Sequence, residues 1–217
     1  MIKPTKQKFI HLLKNPLRIF SWLIIKLPYF KFIAGTQNAN DPINLGIWFR
    51  QKVLGYNRSA YWPVHFTSKI VGYQNILIGV GTNPGYNPGI YIQGSGKLYF
   101  GNYTTIGQNT GILSGGHDIY DHRVLTQSET RIGDYCWIGM NCMILPGVEL
   151  GNNVVVAAGS VVTKSFPEGN CIIGGVPAKI IKMLDAEKFV HFEYDNKYIG
   201  YMKEEKFEEF RKKNLRI

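Results

Sequence analysis

Cysteine is scarce in this 217-residue chain, and the three present, Cys136, Cys142 and Cys171, are an odd number without zinc-ligand spacing. That argues against a disulfide framework and for a reducing, cytoplasmic compartment. Acidic residues are also in short supply, 15 against 25 Lys and Arg, which leaves a formal net charge of +10. Anionic partners are therefore favoured: phosphorylated cofactors, acidic glycans, anionic membranes or nucleic acid. The middle of the chain has no basic–aromatic recognition motif, so nucleic acid is not an expected partner. No apolar run is long enough to span a bilayer, since Ile19 to Ile25 is bracketed by Arg18 and Lys26 and closed by Pro28. No A-x-A site follows it directly, as an export signal would require. The 24 Gly and 10 Pro follow no three-residue period, which excludes a collagen-like chain, and 45% hydrophobic composition is enough to bury the core of one domain with terminal additions.

What the chain does have is a six-residue repeat. Ile132, Ile138, Ile144, Leu150, Val156 and Val162 recur at that spacing, with Gly133, Gly139, Gly151 and Ala157 following. Four residues after the first five of them stand small or medium side chains, Cys136, Cys142, Val148, Val154 and Ser160. Phe100, Ile106 and Ile112 keep the register upstream, with Thr104 and Thr110 in the matching slots. Neither a helix nor a sandwich needs this period. One hexapeptide makes a short strand and a turn, and three make a triangular coil with the apolar residue inside. Glycine is expected to supply the unusual backbone angles at the corners. Cys136 and Cys142 occupy equivalent inward slots and are read as core residues, not nucleophiles or ligands.

Three regions differ in texture. Residues 1–63 form a basic N-terminal segment, partly helical by the spacing of Phe9, Leu12, Leu13, Leu17, Phe20, Leu23 and Ile24. Residues 64–182 carry the repeat, interrupted by the turn-rich stretch Asn83 to Gly89. Residues 183–217 are a charged tail, with Ala186 to Lys213 expected to be helical in two pieces broken near Gly200.

The register fails once in the regular part of the repeat. Ile112 and Ile132 are 20 residues apart, not a multiple of six, so either two or eight residues are expected to leave the coil. The departing stretch opens Ser114-Gly115-Gly116-His117-Asp118. A loop on a rigid scaffold is a suitable place for a catalytic base, and His117 is the candidate; a histidine without a role in an exposed loop is the alternative.

The words GGHDIYD (115–121), IGDYCWIG (132–139), ILPGVELG (144–151), VVAAGSVVTKSFPEGN (155–170) and GGVPAKII (174–181) resemble the hexapeptide-repeat acyltransferases. The likeness is to galactoside, maltose and nodulation-type sugar O-acetyltransferases and their capsule-biosynthesis relatives, and it covers about a third of the chain. It implies an all-β core, a left-handed parallel β-helix of hexapeptide repeats with helical N- and C-terminal additions. It further implies acetyl-CoA as co-substrate, a homotrimer, active sites in the clefts between neighbouring prisms, and His117 as general base. Trp137 matches the tryptophan that flanks the pantetheine arm. Met140, Ala158, Thr163 and Lys164 match CoA-contacting positions, and Lys182 a basic residue near the adenosine phosphates. Lys179 is a further phosphate candidate. Asp118, Asp121 or a backbone carbonyl would orient the second ring nitrogen of His117. Met140 replaces a small polar residue of the family, and residues 1–60 do not match the segment that shapes its acceptor pocket.

The expected activity is acetyl transfer to a sugar hydroxyl of a carbohydrate acceptor, in envelope or capsular polysaccharide biosynthesis. Two alternatives stand beside it: transfer to an amino sugar nitrogen, serine or an antibiotic hydroxyl, and a non-catalytic β-helix serving assembly or metal binding. No metal ligand set is expected, since only His117 and His122 fall in the loop. The basic N-terminal segment either caps the first coil or rests on the inner leaflet as a peripheral membrane contact.

Overall fold

A backbone that repeats every six residues must turn three times per coil, and the computed structural model, which describes residues 23–217, has three parallel sheets around one core. The first face stacks Lys69–Val71, Tyr91–Gln93, Gly111–Leu113, Met143–Ile144 and Val161–Val162. The second stacks Ile76–Leu77, Leu98–Phe100, Thr130–Ile132 and Glu149–Leu150. The third stacks Thr105–Ile106, Trp137–Ile138, Val155–Val156 and Cys171–Gly175, closed by the antiparallel Ala178–Met183. Successive hexapeptides visit the faces in turn, which makes the stretch from Lys69 to Gly175 a parallel β-helix.

The six repeat positions from Ile132 to Val162 point inward, none more than 2% exposed. Each contributes about 1.5–3 kcal/mol of apolar burial. The second inward slot carries polar atoms that tie one coil to the next. Thr104 Oγ1 donates to the Gly133 carbonyl at 2.8 Å and Thr110 Oγ1 to Gly139 at 2.9 Å. Cys136 and Cys142 do the same with their thiols, to Gly151 and Ala157, both at 3.2 Å.

The glycines have a different task from the one expected. Positive φ falls two residues beyond them, at Tyr135, Asn141, Gly147, Asn153 and Gly159, and upstream at Tyr103 and Asn109. Asparagine tolerates this left-handed conformation well, so glycine is not required there. Gly133 and Gly139 instead sit where coils approach most closely. A Cβ on Gly139 would lie 2.6 Å from the Ala158 nitrogen, and one on Gly133 2.6 Å from the Gly151 carbonyl carbon.

Before the first coil, Lys31–Gly35 and Leu45–Trp48 are short helices, the latter running into a π-helical turn at Phe49–Val53. Tyr61 and Trp62 lie over the first coil: the Tyr61 hydroxyl donates to the Ile76 carbonyl, and Trp62 Nε1 to that of Pro84. The expected helix through Phe9 to Phe20 lies outside the described residues. The tail is less helical than expected, with one 3-10 turn at Ala186–Lys188 and a second at Glu204–Lys206 that leads into the helix Phe207–Asn214. Between them it runs extended along the prism, because Phe192 and Tyr194 pack against Tyr103 and the Tyr135 hydroxyl bonds the Phe192 carbonyl. Gly200 turns a small hairpin of Tyr198–Ile199 and Met202–Lys203 against Tyr61. Phe207 and Phe210 then pack against the Tyr61 ring at tilted angles, so the tail ends beside the first coil.

Two glycine replacements separate the packing and conformational requirements. Gly139→Ala is expected to cost about 1–3 kcal/mol in urea unfolding, because backbone must move. Gly159→Asn should stay within about 1 kcal/mol of wild type, since no atom lies within 4 Å of its added Cβ and its φ of +73° suits asparagine.

Candidate active site

Six residues would carry the chain from Ile112 to the next inward position, yet the register pairs Phe100 with Ile132, so fourteen are inserted. This corrects the expectation of two or eight. The chain does not complete an additional face before rejoining the coil; the whole surplus leaves at the edge between the first and second faces. The insertion starts and returns at one point, where the Ser114 carbonyl accepts both Gly96 N–H and Ser128 N–H at 3.1 and 2.8 Å. Gly115–His117 and Leu125–Gln127 pair antiparallel as a projecting hairpin.

His117 stands on the hairpin with its ring exposed. Its Nδ1 lies 2.5 Å from the His122 carbonyl oxygen. A carbonyl can only accept, so Nδ1 carries the proton, and the neutral ring presents the Nε2 lone pair outward. The carbonyl, not Asp118 or Asp121, is therefore the orienting group. The two carboxylates build the loop tip. Asp118 Oδ1 accepts Tyr120 N–H and Asp121 N–H at 2.8 and 2.9 Å, and Asp121 holds Arg123 through two bonds of 2.9 Å. Both acids are held below the ordinary carboxylate range, Asp118 by the Asp121 and Tyr120 amides and Asp121 by the Arg123 side chain and amide.

The candidate cofactor residues fall into two places. Thr105, Trp137, Val155, Ile172 and Lys182 form one lateral row across the outside of the third face. Trp137 and Lys182 thus lie three strand spacings apart, about 14 Å. Trp137 is 61% exposed, a high value for tryptophan that leaves its ring open to a ligand. Met140 and Ala158 are exposed one above the other at the adjoining corner, where Gly159 N–H bonds the Met140 carbonyl. Lys179 is exposed on the closing strand opposite Gly174. Thr163 and Lys164 lie elsewhere, beyond Val162 on the same edge as the His117 hairpin, with Lys164 Nζ 5.6 Å from the Phe166 ring centroid. In a triangular prism this edge is opposite the third face, so one chain does not bring His117 and Trp137 together.

The motif reading missed a polar cavity of about 350 Å³ at the foot of the hairpin, bordered by Ser95, Lys97, Gln127 and Arg216. Its members belong to no motif, and Arg216 arrives through the tail. Among the described residues no group of three His, Cys, Asp or Glu is placed to hold a metal.

A family model described as "Bacterial transferase hexapeptide (six repeats)" matches residues 129–164. Over these residues the chain is similar to the hexapeptide-repeat transferases. A putative lipopolysaccharide biosynthesis O-acetyl transferase of Escherichia coli is 52% identical over 67 residues, 31% of this chain and 34% of that protein. The galactoside O-acetyltransferase of the same organism is 29% identical over 169 residues, 66% of this chain and 82% of that one. A solved galactoside acetyltransferase in complex with coenzyme A superposes with a TM-score of 0.51 at 27% identity, covering 64% of this chain and 70% of that one. Against its first three curated relatives this hexapeptide-repeat chain spans 34%, 55% and 47% of their length.

The thiols should be inert in the folded protein. Burial pushes Cys136 up to about 12 and raises Cys142 and Cys171 as well. At pH 8 an aromatic disulfide reagent is expected to titrate none of the three rapidly, and all three after unfolding in guanidinium.

Proposed function

We propose that this chain is an acetyl-CoA-dependent O-acetyltransferase acting on a sugar hydroxyl in envelope or capsular polysaccharide assembly, with His117 as its base. The observation that carries the reading is the Nδ1–H bond of His117 to the His122 carbonyl, which reserves Nε2 for proton transfer. Nε2 takes the proton of the acceptor hydroxyl as its oxygen attacks the thioester carbonyl. The tetrahedral intermediate then expels the CoA thiolate, which takes the proton back from the imidazolium. Backbone N–H groups at the coil edge would hold the oxyanion. The relatives named for lipopolysaccharide and galactoside O-acetyl transfer support the acceptor class, and the coenzyme A complex of the solved galactoside acetyltransferase supports the donor.

The cofactor would lie in a cleft between subunits. The hairpin edge and the Trp137–Lys182 row are on opposite sides of one prism, so the third face of a neighbour beside His117 reunites them. A closed three-fold ring of left-handed coils satisfies this for every copy. Trp137 would then flank the pantetheine arm and Met140 and Ala158 its amide groups. Lys182 and Lys179 would answer the phosphate charge, with Thr163 and Lys164 contributing from the His117 edge.

The pole beneath the first coil is read as a membrane contact at the cytoplasmic face. Tyr29, Phe49, Val53, Leu54, Tyr56 and Phe66, all in the segment that precedes the first strand, are exposed, and Arg50 lies over the Phe66 ring at 5.3 Å. Up to Asp118 the sequence has twelve Lys and Arg against the single acid Asp41, which suits an anionic leaflet. Cosedimentation with phosphatidylserine vesicles, and its absence with phosphatidylcholine alone, is expected; equal recovery from both vesicle types would refute this contact.

Thiol release from acetyl-CoA over a panel of sugars tests the chemistry. His117→Ala should lower turnover about 10²–10⁴-fold with CoA affinity retained, and full turnover would remove His117 from the mechanism. Mixed oligomers of His117→Ala with a Trp137→Ala/Lys182→Glu variant should regain activity if the site is shared between subunits. Additive, unrescued loss would place the whole site within one chain.

A further inference from the structure

The cavity at the foot of the hairpin has a chemistry that the transfer reaction alone does not demand. Its walls are polar: Asn75, Ser95, Gln127 and Ser128 line it, and its volume of about 350 Å³ falls in the range of small-molecule sites. Two cations, Lys97 and Arg216, border it, and among the described residues neither is in an ion pair. The acid on its rim, Glu129, is already engaged by Arg131, which itself packs over the Tyr99 ring at 3.9 Å. The rim therefore keeps a net positive charge facing the cavity.

The position is as informative as the charge. Gln127 pairs with Gly115 in the hairpin ladder, and His117 is two residues further along the same strand. At about 3.3 Å per residue that is about 7 Å, a gap bridged by a sugar ring whose hydroxyl reaches Nε2. Close packing fixes the floor, since a Cβ on Gly115 would be 2.8 Å from Ser95 Cβ and one on Gly96 2.1 Å from the Ser128 carbonyl oxygen. Arg216 is fixed too. Its N–H donates to the Gln74 carbonyl at 2.7 Å, and Phe207 and Phe210 anchor the helix before it on Tyr61.

We propose that this cavity is the acceptor subsite, and that Lys97 and Arg216 select a sugar bearing an anionic group, a carboxylate or a phosphate. The assignment rests on the reading of His117 as the base. Guanidinium and ammonium groups bind such anions with charge-assisted hydrogen bonds, whereas a neutral sugar leaves both cations without a partner.

Binding is measured by calorimetry on the CoA-loaded protein with three probes: methyl β-glucuronide, glucose 1-phosphate and methyl β-glucoside. At least one anionic probe should bind about tenfold tighter than the neutral glucoside, and which one does so identifies the anion. The preference should shrink with added salt and disappear in Lys97→Gln/Arg216→Gln. If that double variant misfolds, as its unfolding midpoint would reveal, Lys97→Gln alone should reduce the preference and Arg216→Lys should retain most of it. Equal binding of all three probes, or a preference untouched by these variants, overturns the subsite. His117→Ala separates the two readings: it should keep the anion preference while turnover falls, and unchanged turnover would count against the base and not against the subsite.

Discussion

Each coil of this protein is held by the one above and the one below it, through backbone bonds that leave almost no room for error. Trp137 N–H bonds the Val154 carbonyl and Gly139 N–H that of Val156, at 2.9 and 2.8 Å, one full coil away. The approach is so close at Gly133 and Gly139 that even a methyl group would meet backbone. A ladder with this spacing accepts six residues per face, and residues beyond that must leave the coil. The His117 hairpin follows from that constraint: fourteen surplus residues are expelled at one edge, and the Ser114 carbonyl closes their exit by accepting both the Gly96 and the Ser128 amides.

The same rigidity gives the histidine its direction. A side chain on a free loop would sample many orientations, whereas His117 sits in a paired strand with Nδ1 held by the His122 carbonyl. Asp118 and Asp121 contribute indirectly by folding the tip that places that carbonyl. The prism also sets the stoichiometry of the proposed site, because an edge and its opposite face cannot meet around one molecule.

The tail shows how tertiary contacts outweigh local preference. Its charged, helix-favouring composition suggests helix from Ala186 onward, but Phe192 and Tyr194 find apolar partners on the stacked Tyr103 and Tyr135 rings, and an extended strap reaches them. The residues gained by this route, Arg216 above all, are beyond sequence reasoning, since nothing near residue 216 resembles a site. The motif-borne residues were easier. Cys136 and Cys142 lie in the core, as their places in the repeat foretold, whereas the exposed row that joins Trp137 to Lys182 is visible only in the strand register.

The sequence alone determined the period, the inward positions and the place where the register breaks, because a six-residue alternation of apolar and small residues has few other physical solutions. Tertiary structure decided the rest. The length of the expelled segment, the role of the glycines, the carbonyl that orients His117 and the cavity completed by Arg216 depend on which atoms of distant coils come within a few ångströms. Those distances follow from the stacking of whole coils, and no local pattern of residues encodes them.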